Sequence, residues 1–95
     1  MKLVITVTAK KSLERIAKYI EDQNTEGAGD RWLDALMGQL IHISEISVKH
    51  AICRYPPFAR KNLRCFTYNK KWVIAYKIYR NRFIIQRFVL GSKLV

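Results

Sequence analysis

Arg64, Lys77 and Arg87 stand inside runs of β-branched and aromatic residues, among Phe66, Tyr68, Trp72, Tyr76, Tyr79, Phe83 and Phe88. Cations interleaved with aromatic rings on a sheet can neutralise phosphates and stack bases. The same combination suits an acidic protein surface. The setting of these residues is one-sided. All seven acids (Glu14, Glu21, Asp22, Glu26, Asp30, Asp34 and Glu45) lie in the first 45 residues, and twelve of the eighteen Lys and Arg residues lie in the last 50. The first part sums to −1 and the second to +12, within a net charge of +11. Self-repulsion of that size works against compactness, so it implies an acidic partner: nucleic acid, an anionic membrane or an acidic protein segment. A strand edge needs a few lysines for protection, not twelve uncompensated cations.

The same asymmetry excludes most catalytic sets. Ser-His-Asp and Cys-His-Asp arrangements need an acid near the base, and the basic half has none. His42, on a helix, and His50, at the start of a loop, read as half-exposed surface residues, because a catalytic base also needs an orienting partner. The carboxylates alternate with Lys and Arg like a solvated helix face, which argues against paired-carboxylate or metal chemistry. Gly27, Gly29, Gly38 and Gly91 form no phosphate-cradling loop, and neither a metal nor a cofactor is expected. Cys53 and Cys65, with eleven residues between them, have no CxxC or zinc spacing and are expected to be free thiols. Burying a lone cation in a sheet is costly, so Arg64, Lys77 and Arg87 are expected off the helix-covered side, on an open face or an edge.

The elements that must position these residues follow from periodicity. With 95 residues, 49% of them hydrophobic, the chain is one folded domain. It has no apolar run of about 18 residues, so no membrane span, and no secretory signal, so a cytoplasmic location is expected. Lys2–Thr8 alternates like a strand, with Thr8 placed to cap a helix. Leu13, Ile16, Ala17 and Ile20 make one helical face; after a turn at Asn24–Gly29, Leu33, Leu36, Met37, Leu40 and Ile43 make another, widened by Trp32 and Ile41. Neither Gly27 nor Gly29 helps the second helix start, and its pattern fades near Ser47. Lys49–Lys61 reads as a loop, because Pro56 and Pro57 fit neither a helix interior nor a central strand. Leu63–Tyr68, Trp72–Tyr79 and Phe83–Leu90 read as a meander with tight turns at Asn69–Lys71 and Arg80–Arg82. The run WVIAYKIY is apolar on both faces and therefore central. The predicted fold is α+β: a small two-layer β-α-α-β-β-β domain, with a helix hairpin packed on a mainly antiparallel sheet.

That order, with VTAKKSLERIAKYIED, GDRWLDALMGQLIHI, NLRCF and KKWVIAYKIYRNRFIIQRFVLGSKL in its four segments, resembles the RelE/ParE superfamily of toxins from bacterial type II toxin–antitoxin modules. The resemblance covers nearly the whole chain. It implies a toxin with a cognate antitoxin in a hetero-oligomer. RelE-like members cut messenger RNA in the ribosome; ParE-like members inhibit DNA gyrase. For a nuclease, the cations would be Arg60, Lys61, Arg64 and Arg87, with Tyr76 or a Lys as proton acceptor. Two family positions depart from the nuclease pattern: Val73 stands where an Arg is usual and Leu90 where a His is usual. No Tyr follows Gly91. The ParE-like reading is therefore preferred, with Arg64, Lys77, Arg87, Lys93 and the Gly91–Val95 tail facing the target, and the helix hairpin with the adjoining sheet edge receiving the antitoxin. A RelE-like messenger endonuclease is the rival. A third reading is a degenerate member that binds its antitoxin without toxicity.

Overall fold

A computed structural model describes residues 1–46 and 50–94. The chain runs β1 (Lys2–Ile5), α1 (Val7–Gln23), α2 (Ala28–Glu45), a one-turn α3 (Pro56–Ala59), β2 (Arg64–Tyr68), β3 (Trp72–Tyr79), β4 (Arg82–Leu90) and a 3-10 turn at Gly91–Lys93. The sheet order is β1-β4-β3-β2. β1 is parallel to β4, and the other pairs are antiparallel. This is the expected two-layer α+β domain, with β3 inside the sheet. The expected fade of α2 near Ser47 and the first residue of the expected loop, Lys49, lie outside the described residues.

Both meander turns close through two residues of positive φ. Asn69 and Lys70 sit at 51° and 58°, Arg80 and Asn81 at 49° and 61°. Such turns match the twist of the strands they join.

The first strand is shorter than its alternation suggests. Its pairing with β4 ends at Ile5, and Thr6, not Thr8, caps α1: the Thr6 hydroxyl accepts from the Ala9 N–H at 3.2 Å. Thr6 can turn because the sheet already holds it, its N–H donating to the Ile85 carbonyl at 3.1 Å. Val7, which continues the strand pattern in sequence, stands 70% exposed in the first helical turn.

The two glycines do help α2 begin. Gly27 takes φ +85° at the N-cap, and the Glu21 carboxylate accepts from the Gly27 and Gly29 N–H groups at 2.7 and 2.8 Å. Those bonds, Gly27 first, hold the Glu21 carboxyl below its usual range. A side chain from α1 thus replaces the cap that α2 lacks. The hairpin is close there: a Cβ on Gly29 would lie 2.4 Å from the Ala17 carbonyl oxygen.

Leu36 and Leu40 of α2, with Ala9 and Leu13 of α1, cover Ile74, Tyr76, Phe83, Ile85 and Phe88 of the sheet. Ile41, expected on the apolar stripe, is 46% exposed. The proline pair is not plain loop. It opens α3, where missing N–H groups cost nothing, and the Tyr55 carbonyl accepts from Phe58 and Ala59.

Gly29→Ala is expected to destabilise the domain by about 1–3 kcal/mol, because the rigid Ala17 backbone must move. Gly38→Ala, where nothing lies within 4 Å of the new Cβ, should stabilise by about 0.5–1 kcal/mol through helix propensity. Urea unfolding of the two variants checks the pair.

Candidate partner-binding surface

The sheet sorts its cations by register. Arg64 pairs with Tyr76 across β2 and β3, so it shares Tyr76's helix-facing side, at the β2 edge. There its Nη1 donates to the His50 carbonyl at 2.6 Å. His50 stacks on Phe66 with centroids 4.8 Å apart. Tyr76 is fully buried, and its hydroxyl meets two His50 atoms: the backbone N–H at 3.0 Å and Nδ1 at 2.6 Å.

The proton positions follow from counting donors. The Tyr76 oxygen accepts the His50 N–H. If it also accepted from Nδ1, its own hydrogen would be buried without an acceptor, at about 1–3 kcal/mol. Tyr76 therefore donates to Nδ1, and the ring proton sits on Nε2. Burial favours that neutral imidazole and lowers its pKa. A tyrosine committed in this way is poorly placed to accept a proton from a substrate. Sequence reasoning left His50 as a surface residue because nothing local ties it to a tyrosine 26 positions away.

Lys77 pairs with Ile84, and Arg87 with Ala75, on the opposite face. Arg87 reaches that face through a β-bulge. The register shifts between Ala75 and Tyr76, leaving Gln86 as an extra residue in β4. Without the shift, strict alternation from Phe83 and Ile85 would turn Arg87 toward the helices.

This second face is partly covered. Cys53, Phe58 and Leu63 pack on Ala75, with Cys65, Val89 and Leu94 alongside. Ile52 bridges to Arg64, which runs the 51–53 segment beside β2 and brings Cys53 to Cys65 with Cα atoms 4.9 Å apart. The two form a disulfide, which corrects the free-thiol expectation. The spacing of the cysteines carried no sign of that strand-like pairing.

The covering segment builds a cleft of about 410 Å3 that gathers Lys61, Arg87 and Lys93 over Tyr55, Phe58, Val89 and Leu94. Of the residues expected to face a target, Arg87 and Lys93 meet here. Lys77 lies on the same face but does not line the cleft, and Arg64 is on the other side. Of the cations expected of a nuclease, Lys61 lines the cleft, whereas Arg60 caps the end of α3 and does not. The aromatic-proline cluster Tyr55–Phe58 was the overlooked signal for this site.

A second groove, about 630 Å3, runs between α1 and the ends of β3 and β4. Ile16, Trp72, Phe88 and Leu90 floor it, and Arg15 and Lys93 flank it. Among the described residues, no group of three or more His, Cys, Asp or Glu is placed to hold a metal, and no helix is long and apolar enough to cross a membrane.

A helix hairpin on this sheet, with its cationic clefts, has the build of a small RelE/ParE-superfamily toxin. A family model described as ParE toxin of the type II toxin–antitoxin system, parDE, matches residues 3–94. The chain belongs to that family, which implies a cognate antitoxin as partner. No curated protein matches its sequence.

Tyr76→Phe is expected to cost about 1–3 kcal/mol near neutral pH, by stranding His50 Nδ1 and N–H. His50 titrates below its usual 6.5 in the folded state. Its contribution is therefore complete above that value and lost as pH falls through the lowered one. The gap between wild type and variant should narrow on acidification, as read by unfolding at several pH values. Separately, reduction of Cys53–Cys65 should lower stability by about 2–4 kcal/mol in denaturant unfolding, since it opens a short covalent loop.

Proposed function

We propose that this ParE-family chain is a toxin that inhibits DNA gyrase by docking on it in the cytoplasm, without cutting RNA. The observation that carries the reading is the state of Tyr76. Tyr76, the cross-strand partner of Arg64, is buried with its hydroxyl 2.6 Å from His50 Nδ1, and the count of donors commits its proton to that nitrogen. In-line cleavage of RNA needs an acceptor for the 2′-hydroxyl proton. No carboxylate or imidazole lines the cleft where Lys61, Arg87 and Lys93 gather. A cluster of cations over an apolar floor supports binding more than proton transfer. Arg87 and Lys93 are the target contacts we favour, with Lys77 beside them on the same face and Arg64 at the β2 edge. The toxin pairs with its antitoxin in a hetero-oligomer, and burial of the basic face neutralises it.

Incubation with gyrase and plasmid DNA is expected to trap cleavage complexes, and Arg87→Glu with Lys93→Glu to weaken trapping by at least about tenfold. Messenger RNA on translating ribosomes should stay intact. Site-specific cuts in that messenger would establish the RelE-like endonuclease instead. Harmless overexpression without an antitoxin would mark a degenerate member.

A further inference from the structure

The covering segment is tied to the sheet at a few points. The Cys53 N–H donates to the Leu63 carbonyl at 2.8 Å, and the Cys65 N–H to the Ala51 carbonyl at 3.1 Å. Phe58 and Leu63 pack on Ala75. Against these ties stands the charge the segment carries, since it brings Lys61 to the cleft of Arg87 and Lys93. The Cys53–Cys65 bond adds a covalent tie across a sequence separation of 12.

Both cysteines line a pocket of about 320 Å3, together with Arg54 and Tyr55. That pocket shares Tyr55 and Leu94 with the cationic cleft, so the bond and the cleft lie on two sides of the same residues. Cys53 is 4% exposed, whereas Cys65 is half-buried. An incoming thiolate therefore meets the Cys65 sulfur, and Cys53 is the leaving group, with the Arg54 cation next to it in the chain.

We propose that Cys53–Cys65 is a reversible redox site that assembles the Lys61, Arg87 and Lys93 cleft when oxidised and releases Lys61 from it when reduced. The reaction partner is a thiol of the glutathione class. Its thiolate attacks the Cys65 sulfur, the S–S bond breaks, and Cys53 leaves as a thiolate that takes a proton. A second thiol attacks the mixed disulfide, which frees the Cys65 thiol and leaves one small disulfide. Two small thiols are oxidised for each protein bond reduced, and the reverse sequence closes the bond. The inference rests on the cytoplasmic site of action proposed above, where thiols are kept reduced and a disulfide is usually transient, catalytic or redox-sensing. Closing a loop of this length restrains opening by roughly 100-fold, enough to decide whether the segment stays down.

The protein is equilibrated in glutathione buffers, from the reduced excess of the cytoplasm to mostly oxidised, and probed in three ways. Thiol alkylation read by mass should show the bond passing from open to closed within that range. Trypsin should cut the reduced form first at Arg54, Arg60 or Lys61, at least about 30-fold faster than the oxidised form, while Arg82 in β4 stays protected. A short amine crosslinker should join Lys61 to Lys93 in the oxidised form and at least about tenfold less in the reduced one. Cys53→Ser with Cys65→Ser should behave as the reduced form in every buffer. If that variant does not fold, the reduced wild type still carries the answer. A bond that stays closed or thiols that stay free across the whole range would overturn the proposal. So would first cuts outside residues 54–61, or equal crosslinking in the two forms. None of these readouts uses gyrase, so a protein that traps no gyrase would sink the proposed target and leave the redox site standing.

Discussion

The carbonyl of Gln86 is the point on which the two faces of the domain depend. Gln86 is the extra residue of the bulge between β3 and β4. Two groups donate to its carbonyl: the Thr6 hydroxyl at 3.3 Å and Arg87 Nη1 at 2.9 Å. A carbonyl at the bulge left bare would carry a desolvation cost, which these donors offset. The consequences spread from there. Thr6 is held where β1 ends and α1 begins, and its hydroxyl also caps α1. Beyond the bulge Phe88 returns to the helix side to pack on Trp32, with centroids 5.8 Å apart. Arg87 is turned to the other face, beside Lys61 and Lys93. One extra residue in β4 thus places both a core aromatic and a cation of the cleft.

What the sequence showed depended on the range of the physics. The turns at Asn69–Lys70 and Arg80–Asn81 were legible because positive φ is a local demand. β3 was legible as an inner strand because WVIAYKIY is apolar on both faces, and its span, Trp72–Tyr79, was found as expected. The helical stripes through Leu13, Leu36 and Leu40 likewise needed only periodicity. Features that join distant residues were hidden. The bulge exists only in the pairing of two strands, since FIIQRFVL alone reads as one run. Thr8 looked like the cap, and only the end of the pairing with β4 at Ile5 gives that place to Thr6. The Cys53–Cys65 bond needed the 51–53 segment to lie beside β2. For the site, charge composition pointed to a basic, acid-free surface. It did not show that Arg87 and Lys93 converge with Lys61 while Arg64 turns to the opposite side.

The +12 half tolerates its own charge because the sheet spreads it. Lys70 and Lys71 stand at one end of β3, Arg80 and Arg82 at the other. Eight strand residues separate them by about 25 Å at roughly 3.3 Å per residue. That is about three Debye lengths at physiological ionic strength, so the two groups hardly feel each other. Lys61, Arg87 and Lys93, by contrast, line one cleft. These cations come from three separate parts of the chain, and only the covering segment with its disulfide brings Lys61 to the other two.

The contrast between the two polar clusters separates structure from function. At His50, Tyr76 and Arg64, donors meet acceptors: the hydroxyl receives one hydrogen and gives another, and the guanidinium has a carbonyl. Such a cluster fixes a chain crossing and gains little from a ligand. In the cleft the fold brings like charges together and supplies no acid to answer them. Proximity of like charges costs free energy that a counter-charged ligand could release, and no residue lining the cleft supplies that counter-charge. The apolar floor adds a second requirement, because water alone satisfies the cations but not Phe58, Val89 and Leu94. A partner that is both acidic and apolar relieves the two together. The site can therefore be recognised by demands that the rest of the chain leaves unmet, without any single residue being diagnostic.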